Sequence, residues 1–272
     1  MTASGVGIDG EDSTSGGLNL SPAVAQEHRR IDTTRWDDIY VVGDPHGCLG
    51  AVERLFDRLD VGPADLVVFV GDLVRKGPDS QGVLDLVRVQ DNVVSVRGNN
   101  EQGLIDGDKT APDLGSEDVA FVESLPVVVS FDDVAVVHGG IDHRKPLRNH
   151  DTRDLLTTRS LASGGYERPY WFEQRREMPR VCFGHTVLSE PFATPYAVGL
   201  DTGCVYGGEL TAYDYGRDRF VSVDAGATYQ SRPEEKFVSP APAMPTDGSE
   251  SPPDSRLRER KREDGGDLSS GS

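Results

Sequence analysis

The chain has 272 residues, a length that suits one large domain or two small ones. Its longest apolar run, near Leu66–Val70, is far shorter than the ~20 residues needed to cross a bilayer, which excludes a transmembrane protein. Residues 1–21 contain neither a basic region nor an apolar segment. The sequence therefore predicts no secretory signal and a cytoplasmic location.

The charge is strongly acidic, with 46 Asp and Glu against 28 Lys and Arg and a formal net charge of −18. A field of this sign repels nucleic acid and anionic membranes, so we expect neither as a partner. The acids are mostly Asp (30 of 46) and the bases mostly Arg (23 of 28), and this bias extends along the whole chain. We interpret it as adaptation to a high-salt cytoplasm, where screening removes self-repulsion; an ordinary acidic protein is the alternative.

The two ends of the chain carry little apolar periodicity. Residues 1–35 are rich in Gly, Ser, Thr and acids, and from Gln230 onward prolines interrupt a segment rich in Ser and Glu. Such segments lack the apolar surface that offsets the entropy of ordering. We therefore predict disordered tails over residues 1–35 and 231–272, with one folded domain at 36–230.

Within the predicted domain, apolar runs of strand length at first alternate with helical patterns. Leu49–Leu59 and Ser80–Val89 place apolar residues at helical spacing. The order strand–helix–strand–helix predicts an α/β first half. The later strands, with no helical pattern between them, predict hairpins with turns at Asp132-Asp133 and Gly216-Arg217-Asp218. In chain order the predicted strands are Ile39–Val42, Leu66–Val70, Val93–Val96, Val127–Ser130, Val134–Val137, Val181–Phe183, Ala197–Leu200, Leu210–Tyr213 and Phe220–Val223.

Five of these strands end in glycine beside Asp, Asn or His. Because the carboxyl ends of neighbouring strands line one crevice of an α/β sheet, we expect the side chains that follow them to converge. Carboxylates, an amide oxygen and imidazoles, without a thiolate, suit Mn, Fe, Zn or Co. The pattern therefore predicts a site for two divalent ions built from Asp44, His46, Asp72, Asn99, His138 and His185.

The motifs GDPHG, GDLVRKG, RGNNE, HGG and GHT, in this order, resemble those of the calcineurin-like metallophosphoesterases, and more narrowly the phosphoprotein phosphatase superfamily. The stretch 200–208 (LDTGCVYGG) resembles the diadenosine tetraphosphatase branch, and Lys76-Gly77-Pro78 resembles the ApaH-like phosphatases. The motifs extend from Gly43 to Ala212. The resemblance implies a sandwich of two mixed β-sheets flanked by helices, with residues 36–230 as the catalytic domain.

The resemblance also implies a role for each matched residue. Asp44, His46 and Asp72 would hold one metal ion, with manganese expected and iron, zinc or cobalt as alternatives. A hydroxide that bridges two ions would attack phosphorus in line. The second ion would share Asp72 and be completed by Asn99, His138 and His185.

Three further residues are candidates for contacts with the substrate. Arg97 lies where the chain nears the predicted metals, and Arg159 resembles a phosphate-contacting arginine of the branch. We expect both, together with Lys76, to contact substrate phosphate; for the two arginines the alternative is pairing with surface acids. Tyr206 is expected either to face a nucleotide base or to pack in the core.

The chain departs from the family pattern at two motifs. Arg75 stands where the second motif has Asp, Lys76 stands where it has Arg, and Asn100 stands where the third motif has His. In the family that Asp and His form a general-acid pair, and the loss of a positioned general acid typically lowers the rate by roughly 10²–10⁴. His143 and His150, in a polar loop further along, are candidates for a substitute acid or are simply exposed loop residues.

These departures favour a weakly basic leaving group. A departing phosphate is weakly basic and needs a proton less than a Ser or Thr alkoxide does. The positive charges of Arg75 and Lys76 can stabilise its oxygens. The sequence therefore predicts a hydrolase of phosphoanhydrides, such as diadenosine polyphosphates or polyphosphate, with Asp72, Asn100, Arg75 and Lys76 as catalytic residues. A serine/threonine protein phosphatase and a non-catalytic phospho-ligand binding protein are the alternatives.

Overall fold

The computed structural model describes residues 17–162 and 165–241, which form two β-sheets and the helices that cover them. The α-helices are α1 (Pro22–Gln26), α2 (Leu49–Leu59), α3 (Ser80–Val89), α4 (Asn99–Ile105), α5 (Ser116–Ser124), α6 (Thr152–Thr157) and α7 (Trp171–Gln174). The strands are β1 (His28–Arg30), β2 (Ile39–Val42), β3 (Leu66–Phe69), β4 (Val93–Ser95), β5 (Val128–Phe131), β6 (Val134–Val136), β7 (Arg180–Phe183), β8 (Phe192–Ala193), β9 (Ala197–Gly199), β10 (Glu209–Asp214) and β11 (Arg219–Asp224). Short 3₁₀ helices lie at Thr33–Arg35, Leu147–Asn149 and Glu234–Lys236.

The first sheet has five strands in the order β11-β10-β2-β3-β4. Strands β2, β3 and β4 are parallel, and α2 and α3 form the crossovers between them, as the sequence predicts. Strand β10 lies antiparallel to both β2 and β11, and the β10–β11 hairpin turns at the predicted glycine-containing loop. The carboxyl ends of β2, β3 and β4 consequently meet at one edge of this sheet.

The second sheet has six strands in the order β1-β5-β6-β7-β9-β8. Strands β5 and β6 form the predicted hairpin around Asp132-Asp133. The prediction of hairpins for the other late strands is wrong, because β6, β7 and β9 run parallel. The long connection from β6 to β7 contains α6 and α7, whose short helical segments carry no apolar spacing that the sequence pattern could reveal.

The two sheets pack face to face. Val41 and Val68 of the first sheet share one buried cluster with Val129, Val136 and Cys182 of the second. On its other face the first sheet is covered by α2, α3 and α5, and the second sheet by α1, α6 and α7. The sandwich of two mixed sheets flanked by helices is therefore confirmed.

The predicted boundaries of the folded domain are too narrow at both ends. Strand β1 pairs in parallel with β5 through the register His28↔Val128, and the Ser21 side chain caps α1, so residues 22–35 belong to the fold. At the other end Val238 pairs with Leu188 beyond the predicted limit of residue 230. These segments combine backbone pairing with a few buried apolar residues, such as Val24 and Val238, that are too widely spaced to form an apolar pattern. The remaining parts of the predicted tails, residues 1–16 and 242–272, lie outside the described residues.

None of the helices in the described residues combines the length and the apolarity that a membrane crossing requires.

Candidate metal centre and phosphate cavity

The predicted metal-ligating side chains follow strands of both sheets and meet where the sheets face each other. Asp44 and His46 follow β2, Asp72 follows β3, and Asn99 begins α4 just after β4. From the second sheet, His138 follows β6 and His185 follows β7. The site is thus assembled across the sandwich, from residues far apart along the chain.

Three of these residues have left-handed backbone conformations. His46, Asp72 and His185 have φ angles of 47°, 50° and 62°. Such conformations cost about 1–3 kcal/mol each for residues other than glycine and persist only where the surroundings enforce them. The first two loops enforce one another, because the His46 N–H donates to the Asp72 carbonyl at 2.9 Å and the Gly47 N–H donates to the Leu73 carbonyl at 2.7 Å.

Two glycines allow the loops to come this close. A Cβ atom at Gly184 would lie 1.9 Å from Asp44 Oδ1, and one at Gly98 would lie 2.3 Å from Asp72 Oδ1. Any larger residue at either position would displace a carboxylate of the site. The glycines that flank the motifs therefore have a steric role here.

Asp44, His46 and Asp72 form the first group of donors. One donor atom from each lies within 4.8 Å of the others, and all three residues are buried. Asp44 Oδ1 is fully buried and has no hydrogen-bond partner among the residues that the structure describes. A buried carboxylate oxygen without a partner is costly unless a cation binds it, so this group fits a metal ion.

Asn99, His138 and His185 form the second group. Asn99 Oδ1 lies 3.0 Å from His138 Nε2 and 2.9 Å from His185 Nδ1. His138 Nδ1 lies 2.9 Å from the Val70 carbonyl and must donate to it, which leaves a lone pair on Nε2 of the neutral ring. Two acceptors that face each other repel unless a cation lies between them, so this group also fits a metal ion.

Asp72 lies between the two groups. Its Oδ2 is 3.5 Å from His46 Nε2, and its Oδ1 is 3.4 Å from His138 Nε2. The two carboxylate oxygens therefore face different imidazoles, which is the arrangement that a carboxylate shared by two ions requires. Asn100 holds this orientation, since its backbone N–H donates to Oδ1 at 2.8 Å and its side-chain amide donates to Oδ2 at 2.5 Å.

The electrostatic surroundings keep the imidazoles neutral, as metal ligation requires. Burial, together with the Lys76 ammonium, lowers the pKa of His46 to about 3. Burial also lowers the pKa of His138 and, with Arg159, that of His185. Burial alone would raise the pKa of Asp72, but its polar surroundings, which include the Lys76 ammonium and the Asn100 N–H, outweigh this effect and hold it below the ordinary value.

Glu101, which belongs to the third motif, stabilises the backbone around the predicted metal donors. Its Oε2 accepts the N–H groups of Asp72 and Gly98 at 2.9 and 2.7 Å, and its Oε1 accepts that of Val74 at 3.1 Å. Burial and the negative charge of Asp72 raise the pKa of this carboxyl to about 7. Glu101 thus connects the β3 loop to the start of α4.

The donors open into a cavity of about 290 Å³ with many charged side chains in its wall. The acidic ones are Asp44, Asp72 and Asp201. Five cations outnumber them, in contrast to the net charge of −18 for the whole chain. These cations are Arg75, Lys76, Lys109, Arg159 and Arg232.

The predicted substrate residues Lys76 and Arg159 both line the cavity. Lys76 Nζ lies 2.9 Å from His46 Nε2 and 5.4 Å from the centre of the Tyr206 ring. Arg159 Nη2 lies 2.8 Å from His185 Nε2, and its guanidinium stacks on Tyr166 at 4.3 Å. Tyr206 lines the cavity and also packs against the core cluster of the first sheet, so the structure does not decide between the two expectations for it.

The two residues at the altered motif positions contact each other. Arg75 Nη1 donates to Asn100 Oδ1 at 2.6 Å, and Arg75 Nε donates to the Thr110 carbonyl at 3.0 Å. Lys109 Nζ donates to the Asn99 carbonyl at 2.8 Å and to Asn100 Oδ1 at 3.2 Å. Burial, with Arg75 and Lys76 nearby, lowers the pKa of Lys109.

The structure does not support the predicted phosphate contact of Arg97. Its guanidinium donates to the Glu27 carboxylate at 2.7 Å and to the carbonyls of Glu123 and Leu125 at 3.1 and 3.0 Å. It is 6% exposed and does not line the cavity. Arg97 follows β4 closely but its side chain points away from the donors.

The two loop histidines are also absent from the cavity wall. His150 is buried, with Nε2 accepting the Asp142 N–H at 3.0 Å and Nδ1 facing the carbonyls of Pro146 and Leu147. The interpretation of His143 or His150 as a substitute acid is therefore not supported.

Sequence reasoning missed four polar or aromatic residues that line the cavity, namely Asp201, Lys109, Tyr166 and Arg232. Asp201 follows Leu200 in a quoted motif and could have been found there. The others carry no local signal. Arg232, in the predicted tail, donates to Tyr166 Oη at 2.8 Å and stacks on Tyr206 at 4.9 Å.

A face-to-face sandwich of mixed sheets with carboxylate, imidazole and amide donors at the strand ends defines a metal-dependent phosphoesterase, which is a hydrolase. Comparison with known families agrees: the calcineurin-like phosphoesterase model matches residues 38–189, more than half of the chain, and the chain belongs to this family.

Relatives of known name fall into two groups. The chain is 27% identical to the asymmetrical bis(5'-nucleosyl)-tetraphosphatase PrpE of Oceanobacillus iheyensis, over 74% of this chain and 96% of the relative. It is 28% identical to serine/threonine-protein phosphatase 1 of Salmonella typhimurium, over 68% and 94%. A solved structure provisionally assigned as a diadenosine tetraphosphatase superposes with a TM-score of 0.66 at 28% identity, over 72% of this chain and 97% of that one.

Proposed function

We propose that this chain hydrolyses a phosphoanhydride bond in dinucleoside polyphosphates such as diadenosine tetraphosphate, with two divalent cations as cofactors. The observation that carries the proposal is the cavity itself, in which five cationic side chains surround the metal donors while position 100 carries an amide instead of a proton donor. Such a wall suits a substrate with several charged phosphates and a leaving group that departs as an anion. The names of the tetraphosphatase relatives support the same substrate class.

In this proposal Asp44, His46 and Asp72 hold one cation, and manganese is the ion we expect first. Bound cations supply a nucleophilic hydroxide at neutral pH and neutralise charge on the phosphoryl group. The second cation is held by Asp72 with Asn99, His138 and His185.

The chain's own residues then bind and orient the substrate. Asn100 keeps the Asp72 carboxylate in place through its two hydrogen bonds. Lys76 lies beside His46 and Arg159 lies beside His185, and both histidines are predicted metal ligands. Both cations are therefore close enough to contact a phosphate bound at the metal centre. Tyr206 and Tyr166 provide aromatic surface in the cavity wall, against which a nucleoside can pack.

A panel of substrates tests the proposal by phosphate and nucleotide release in the presence of Mn, Co, Zn or Mg. We expect diadenosine tetraphosphate to be cleaved at least tenfold more efficiently than a phosphoserine peptide. Asp72→Asn should abolish hydrolysis of p-nitrophenyl phosphate, whereas Asp57→Asn, an exposed residue of α2, should leave it unchanged. A tenfold preference for the phosphopeptide would overturn the proposal.

A serine/threonine protein phosphatase is the second candidate, favoured by the Salmonella relative. A Ser or Thr alkoxide is a strongly basic leaving group and needs a proton from the enzyme. Arg75 and Asn100 cannot donate one near neutral pH, which places this candidate second. A protein that binds phosphorylated ligands without turnover would show no metal-dependent release from any substrate of the panel.

We further propose a cytoplasm of high salt as the compartment. The bias towards Asp and Arg and away from Lys, with a net charge of −18, supports this proposal.

A further inference from the structure

Lys109 is a cavity cation that no sequence motif marks, and it reaches the centre from the loop after α4. Its Nζ donates to Asn100 Oδ1 at 3.2 Å, the same amide oxygen that accepts from Arg75 at 2.6 Å. Two basic side chains thus converge at the position where the resembled family carries the histidine of its general-acid pair.

The fold contains a groove that holds the Lys109 side chain in this position. A Cβ atom at Gly103 would lie 2.5 Å from Lys109 Cδ and 2.7 Å from its Cγ, so the stem crosses α4 where only glycine leaves room. The Lys109 N–H donates to the Gly103 carbonyl at 2.8 Å, which anchors the backbone at the same point. The bond from Arg75 Nε to the Thr110 carbonyl holds the next residue of the loop.

We propose that Lys109, with Arg75, binds the departing phosphate and makes the enzyme selective for phosphoanhydrides over phosphoesters; the proposal rests on the proposed function. Hydroxide forms a new P–O bond, the bridging P–O bond breaks, and its electron pair leaves on the oxygen of the departing nucleotide. Lys109 and Arg75 bind that negative charge, and the proton of the original water passes to solvent. Lys109 acts here as a fixed charge and donates no proton to the product.

The test compares Lys109→Met and Gly103→Ala with the wild-type enzyme on diadenosine tetraphosphate and p-nitrophenyl phosphate, with Mn. Nitrophenolate is stable as an anion but has no phosphate oxygens for Lys109 to bind. We expect kcat/KM for the tetraphosphate to fall about 10- to 100-fold in Lys109→Met, with p-nitrophenyl phosphate changed less than about threefold. Gly103→Ala keeps every charge but displaces the lysine stem, so the same pattern should appear there. Lys145→Met, which removes a lysine outside the cavity wall, is the matched control.

Three results would overturn the assignment. Equal losses on both substrates would mean that Lys109 supports the metal centre or the fold, and no loss on either would mean that it does nothing. A loss that increases with leaving-group basicity, from p-nitrophenyl to phenyl phosphate, would identify Lys109 as a proton donor instead. If the wild-type enzyme cleaves p-nitrophenyl phosphate but not the tetraphosphate, the proposed function fails and this inference falls with it, a result visible before any variant is made.

Discussion

The sequence makes Arg97 and Arg159 equal candidates for phosphate contact, but the structure gives them opposite roles. One substitution at each residue tests this difference. Arg97→Met removes the donor to the carbonyls of Glu123 and Leu125, to Gln102 Oε1 and to the Glu27 carboxylate. The three bonds to carbonyl and amide oxygens are worth about 1 kcal/mol each, and the pair with the half-exposed Glu27 adds less than about 1 kcal/mol.

The expected loss is therefore about 3 kcal/mol in the free energy of unfolding. For a domain of this size it corresponds to a fall of roughly 6–12 °C in Tm, which leaves the protein folded at room temperature. Because Arg97 does not line the cavity, kcat/KM per folded molecule should stay within about threefold of wild type.

Arg159→Met should show the reverse pattern. This residue lines the cavity and stacks on Tyr166, so we expect kcat/KM to fall about 100-fold, the loss of one strong charged phosphate contact, with a smaller change in stability. Urea unfolding and steady-state kinetics on the same preparations measure both quantities. An Arg97→Met protein with unchanged stability and a tenfold loss of kcat/KM would refute the structural role given to Arg97.

The pKa of His46 is lowered to about 3 from an ordinary 6.5, so between these values the unfolded chain binds a proton that the folded chain does not. The free energy of unfolding of the chelator-treated protein should consequently fall as pH drops below about 6.5, by up to about 1.4 kcal/mol per pH unit. Urea unfolding should show that the stability of His46→Asn depends less steeply on pH, and an identical slope in the variant and the wild type would contradict this. Installing the family's pair with Arg75→Asp and Asn100→His should raise hydrolysis of phenyl phosphate about 100-fold relative to p-nitrophenyl phosphate, and an unchanged ratio of initial rates would count against the role given to these positions. The midpoint of thermal unfolding should be higher in molar KCl than in low salt, because screening removes repulsion within a chain of net charge −18; equal midpoints would argue against the high-salt interpretation.

The sequence predicted the part of the fold that apolar periodicity controls. Strands β2, β3 and β4 and helices α2 and α3 lie within a residue of their predicted ends, because buried strands and amphipathic helices need those patterns to pack. Strand β1 has the sequence His-Arg-Arg and is ordered by pairing with β5, a contact that no local pattern encodes. The sequence pattern does not predict helix α4, because its first turn, Asn-Asn-Glu-Gln, donates hydrogen bonds to Asp72 and does not form an apolar face.

The candidate site likewise has one part that the sequence predicts and another part that it does not. The predicted donors each follow a strand, and the strand ends within one sheet converge. That the residues after β2, β3 and β4 also meet His138 and His185 of the other sheet depends on how the two sheets pack, which no strand pattern encodes. Arg97 also follows a strand, yet its side chain points to the opposite side, which proximity along the chain cannot decide. Lys109 reaches the site only because Gly103 leaves a groove across α4, so its place depends on contacts that exist only in the folded chain.

The left-handed backbone at His46, Asp72 and His185 bears on how readily the protein would exchange one ion for another. These conformations are enforced by hydrogen bonds between loops and by packed glycines, all of which involve protein atoms alone. The backbone that carries these donors is therefore held by the protein itself, and little backbone entropy remains to be lost when an ion binds. Carboxylate, imidazole and amide donors on such a backbone suit Mn, Fe, Zn or Co, and the ion that is bound then depends on metal supply as well as on ligand type and geometry.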